Sequence, residues 1–110
     1  MAEPQQSPVP MAFFTYNTVD IQLKDDDYLL YSYRPAPGAQ VISIGYQNRG
    51  NQYEMNASQC FVTEDGNYAY LEILNSVGTD ATVIVHVVLY SLTGQRPGKG
   101  RETIDIRHLP

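Results

Sequence analysis

The run Ala81–Leu92, ATVIVHVVLYSL, is apolar on both sides of a strand, and this constrains the fold more than any other feature of the chain. Successive side chains of a strand point to opposite faces. Val83, Val85, Val87 and Leu89 therefore share one face, and Ile84, His86, Val88 and Tyr90 share the other. A strand with one wet face alternates apolar and polar residues, and this one does not. Something must cover both sides: a second layer of the same domain, or another molecule.

The punctuation around that run implies more strands of the same kind. Strand-like segments are expected at Ala12–Tyr16, Thr18–Leu23, Tyr28–Arg34, Gln40–Gln47, Gln52–Ala57, Cys60–Thr63, Tyr68–Leu74, Ala81–Leu92 and Thr103–Arg107. Asp25-Asp26-Asp27, Pro35-Ala36-Pro37-Gly38, Asn48-Arg49-Gly50-Asn51 and the Gly94–Gly100 loop separate them. Asp65-Gly66 between two such runs is a hairpin signal, because both turn positions tolerate positive φ. No window of ten or more residues shows a clean 3.6-residue period, so little or no helix is expected. Short strands with regular turns in 110 residues give a single all-β domain over 11–110, an antiparallel β-sandwich of jelly-roll or immunoglobulin-like type. Residues 1–10, with three prolines and two glutamines, read as an extended N-terminal arm.

Alternation assigns faces. Ile42, Ile44 and Tyr46 are expected to point to the core. Ala69, Leu71 and Ile73 lie opposite Tyr68, Tyr70 and Glu72, and Leu29, Tyr31 and Tyr33 lie opposite Tyr28, Leu30 and Ser32. Tyr31, Tyr33, Tyr68 and Tyr70 are candidate binding residues, since tyrosine joins an apolar body to a polar tip. The competing reading is that such tyrosines only form cross-strand aromatic pairs.

Charge narrows the partners. The net charge of −5 argues against nucleic acid, whose phosphates call for a basic face. The carboxylates crowd the front, and Arg96, Lys99, Arg101 and Arg107 the rear. The Gly94–Arg101 segment superficially resembles a phosphate cradle, but the G-x-x-x-x-G-K-[ST] spacing is broken and no helix follows. Its cations Arg96, Lys99 and Arg101 are instead candidates for contact with an acidic protein surface, a neighbouring copy of the chain included.

Motifs for chemistry are absent. His86 inside an apolar strand reads as a packing residue whose ring nitrogens find partners, and Cys60 as a buried, inert thiol. Two histidines 22 residues apart and one cysteine do not match a zinc spacing, and no Gly-x-Ser-x-Gly surrounds any serine. Acidic turns at 25–27 and 64–65 lack the spacing of a calcium loop. No catalytic residue, metal or cofactor is expected. A lone cysteine fits a reducing compartment, the first residues carry no basic-plus-apolar secretory signal, and no run is long enough for a membrane helix.

The reading is a non-enzymatic structural protein that binds a protein partner, as a homo-oligomer or on a larger assembly. By architectural analogy it is a small virion component such as a capsid decoration or cement protein, located in the virion or host cytoplasm. A lectin-like module with a tyrosine face and a small acidic inhibitor are the alternatives.

Overall fold

In a computed structural model, residues 13–49 and 55–108 are described; the proposed arm, residues 1–10, lies outside them. Seven strands are present among these residues and no helix: β1 (Phe13–Leu23), β2 (Asp27–Arg34), β3 (Ala39–Arg49), β4 (Ala57–Val62), β5 (Ala69–Leu74), β6 (Ala81–Ser91) and β7 (Arg101–His108). They form two antiparallel sheets, a three-stranded one in the order β1-β6-β3 and a four-stranded one in the order β4-β5-β2-β7. The sheets pack face to face, giving an all-β, sandwich-like fold.

Of the expected runs Ala12–Tyr16 and Thr18–Leu23, Ala12 lies outside the described residues, and residues 13–23 are one continuous strand, because Asn17 pairs with Val87 without interrupting the ladder. Of the expected strand Gln52–Ala57, residues 52–54 lie outside the described set, and Met55 and Asn56 are not in a strand. The Asp65-Gly66 turn joins β4 to β5 as expected, with Gly66 at a φ of 72°.

The core lies between the sheets. Val83, Val85, Val87 and Leu89 of β6 meet Leu29 and Tyr31 of β2 and Ala69, Leu71 and Ile73 of β5, all buried. This is one of the two apolar faces of β6. A residue inserted in β3 corrects the expected facing there. The register slips between Val41 and Ser43, leaving Ile42 outside the ladder and 49% exposed. Val41 points inward in place of Ile42, while Ile44 and Tyr46 point inward as expected, since one extra residue reverses the alternation on one side of a bulge.

One end of the stack is pinned by Asn75, which is fully buried. Its Nδ2 donates to the carbonyls of Leu23 (3.2 Å), Lys24 (3.0 Å) and Thr79 (2.9 Å). Nearby, Asp27 accepts from the Lys24 amide (2.8 Å) and pairs with His108 Nδ1 (2.8 Å). The last residue of β7 is thereby tied to the first of β2.

Candidate functional site

Residues directly opposite each other in an antiparallel pair share a face. Tyr31 pairs with Ile104 and Leu29 with Ile106, so the isoleucines of β7 belong to the inner face. Tyr31 and Leu29 are fully buried, yet Ile104 and Ile106 are 41% and 43% exposed. The difference arises because four strands lie against three. β1 packs over β2, and no described strand covers β7.

The result is an open seam along one side of the molecule, between the edge strands β1 and β7. Glu102 ties its two walls together: Asn17 of β1 donates to Oε2 at 2.9 Å, and the Tyr31 hydroxyl donates to the same oxygen at 2.7 Å. Burial beside this carboxylate pushes the Tyr31 phenol well above its ordinary range; Tyr33 is raised for the same first reason. At the upper end of the seam the connection from β6 to β7 roofs an open cleft of about 350 Å3 reached by Thr15, Asn17, Tyr33, Arg96, Lys99 and Glu102. A second cleft, of about 570 Å3, sits at the opposite end among Lys24, Asp27, Arg49 and Asp80.

The second apolar face of β6 points away from the core. Ile84, His86, Val88 and Tyr90 are flanked by Phe14, Tyr16 and Thr18 of β1 and by Ser43, Gly45 and Gln47 of β3. Neighbouring side chains bury Ile84 to 6% exposure, whereas Phe14 and Tyr16 remain 57% and 73% exposed. Phe14 contacts Tyr90 at 5.3 Å between ring centroids. His86 has partners for both ring nitrogens, Gln47 Oε1 at 3.2 Å and Thr18 Oγ1 at 3.4 Å, as its packing role requires. The charged pair Asp20–Arg49 (3.0 Å) stands at one end of this otherwise neutral face.

The tyrosines expected to act together are split between the two faces of the four-stranded sheet. Tyr31 and Tyr33 are core residues at 0% and 4% exposure, which removes them from any outer platform. Tyr68 and Tyr70 stack on the outer face, 6.1 Å apart and 15° from parallel. Phe61 joins them, and the Arg34 guanidinium lies 4.8 Å over the Tyr68 ring. Phe61 and Tyr70 are directly opposite across the β4–β5 ladder, a cross-strand aromatic pair, and Tyr68 and Tyr70 are same-face neighbours two positions apart. Arg96, Lys99 and Arg101 are all exposed at the upper end, and Arg101 pairs directly with Arg34 across the ladder.

Two sequence expectations need amendment. Cys60 is exposed, and its Sγ lies 3.7 Å from the Ile44 carbonyl oxygen; partial burial pushes the thiol up. His108, which carries no signal in the sequence, holds Asp27. Glu102 and Asn17 were also invisible to local pattern, because they lie 85 positions apart and meet only on folding. Among the described residues no cluster of three or more His, Cys, Asp or Glu is placed to hold a metal ion.

The chain matches no protein-family model, no curated protein and no solved structure.

Proposed function

We propose that this protein is a non-enzymatic assembly subunit that associates through the outer face of its three-stranded sheet. The carrying observation is the second apolar face of β6: no described strand of the domain covers it, and it continues into Phe14 and Tyr16. Three strands of 11, 11 and 11 residues offer a patch of about 500 Å2. Two such faces would bury about 1,000 Å2, the lower bound of a specific interface. The neutrality of the patch supports contact between like copies, since each carries a net charge of −5 and charged faces would repel. A capsid decoration or cement protein is one instance of this role.

The strand order supports an immunoglobulin-like reading over a jelly roll. The sets β4-β5-β2 and β6-β3 follow the common core of that architecture, with first and last strands exchanged between sheets. The sugar-platform alternative loses support, because only Tyr68 and Tyr70 of its four tyrosines face outward.

Light scattering across a concentration series tests the proposal. The expected result is a defined oligomer that dissociates in Tyr16→Asp, a substitution at an exposed position that the core does not feel. A mass unchanged by Tyr16→Asp, or a monomer at every concentration, overturns it.

A further inference from the structure

We infer that the edge of β1, which no described strand pairs, accepts residues 3–11 of a second copy as a fourth strand of the three-stranded sheet, laid over Ile104 and Ile106. The inference rests on the assembly reading and adds to it a second contact, made by an identified segment.

The edge is prepared for such an addition. Leu92 N–H donates to the Gly38 carbonyl at 2.8 Å, one step beyond the Ala39–Ser91 pair. Even-numbered residues of β6 therefore direct their backbone groups to β3, and odd-numbered ones to β1. Since β1 and β6 pair odd with odd, the even residues of β1, from Phe14 to Gln22, present their N–H and C=O groups to the open edge. Natural edges are commonly blunted by Lys, Pro or inward charges. β1 contains neither Lys nor Pro, and its one charged residue, Asp20, is paired with Arg49.

The segment Glu3–Met11, EPQQSPVPM, has the matching pattern. Alternate residues of a strand turn their backbone groups to the same lateral side, whichever direction the strand runs. Pro4, Pro8 and Pro10 are all even-numbered. An added strand can therefore bond to β1 through Glu3, Gln5, Ser7, Val9 and Met11, each of which has an N–H. The backbone nitrogens of its prolines then face the outer, solvent-side edge, where an edge strand tolerates them. They also stop addition after one strand.

A second copy is favoured over the chain's own segment by turn chemistry. To return along its own β1, the chain would reverse at Met11-Ala12-Phe13. A tight hairpin calls for Gly, Asn or Asp at positive φ, and none is present. Phe13 is moreover already paired with Ser91.

Hydrogen exchange of the full chain, followed by residue-resolved NMR at several concentrations, tests the inference. Amides of Tyr16, Thr18 and Asp20 should be protected increasingly as concentration rises. Ser7→Pro, which removes a bonding N–H, should reduce that protection at least tenfold, and Gln6→Pro should leave it intact. Equal effects of the two prolines overturn the strand register. Protection independent of concentration overturns the second copy in favour of fold-back within one chain. An oligomer that persists in Ser7→Pro while protection in wild type is absent overturns this inference and leaves the sheet-face proposal standing.

Discussion

The Tyr31 hydroxyl, at the centre of the core, donates a 2.7 Å hydrogen bond to Glu102 on the edge strand β7. A fully buried ring thus holds β7, which no described strand of the opposite sheet covers. Hydrogen bonds to a charged group contribute about 1.5–3 kcal/mol. Tyr31→Phe should destabilise the fold by about that amount, measured by urea denaturation, and loosen β7 in hydrogen exchange more than β5.

Alkaline pH should act through the same group. The folded phenol titrates far above its unfolded value near 10, so its contribution is complete below pH 10 and is lost as pH rises beyond it. Unfolding free energy should fall by about 1.4 kcal/mol per pH unit for each tyrosine kept protonated by folding. Tyr31→Phe should make the alkaline limb shallower; an unchanged slope between pH 10 and 11.5 would show that Tyr31 is not the group responsible.

Acid should act on Asp27. The His108 ring and then the Lys24 amide, both hydrogen-bonded to it, hold its carboxyl below the usual carboxylate range. Its stabilising effect is therefore present above the unfolded value of 3.8 and disappears as pH falls through the lower, folded one. Asp27→Asn should flatten the stability curve below pH 4, read from thermal midpoints in low-salt buffers.

Asn75 offers a structural control. Asn75→Ala leaves the Leu23, Lys24 and Thr79 carbonyls without their shared donor and should cost about 2–4 kcal/mol. Asn75→Asp presents oxygens to the same carbonyls and should be no less damaging in chemical denaturation.

The roof of the seam distinguishes two glycines that lie two positions apart in the chain, Gly98 and Gly100. A Cβ at Gly100 would collide with the Tyr33 hydroxyl and the Arg34 carbonyl, whereas one at Gly98 meets only Ala36 Cβ at 3.5 Å. Gly100→Ala should cost about 1–3 kcal/mol through overpacking, and Gly98→Ala should be close to neutral, both in thermal unfolding.

Much of the architecture was legible locally. The double apolar character of Ala81–Leu92 identified the central strand, and the Asp65-Gly66 turn was readable from its dipeptide. The faces of β2 and β5 followed from alternation. Alternation failed in β3, because a bulge at Ile42 is a response to pairing with β6 and has no fixed signature in the strand itself. Of the candidate binding residues, Tyr68 and Tyr70 proved to be outward, but Tyr31 and Tyr33 are core. Period-two reading separates two faces without saying which one is inside.

By itself, the sequence determined an all-β chain, its central strand and the neutrality of that strand's second face, because these depend on side-chain period and composition. Only the tertiary structure decided that four described strands oppose three, that no described strand covers Ile104 and Ile106, and that Glu102 joins Asn17 to Tyr31. Those features come from pairing between distant segments, where the number of strands in each sheet, and not the pattern within any one strand, fixes which inner face stays open.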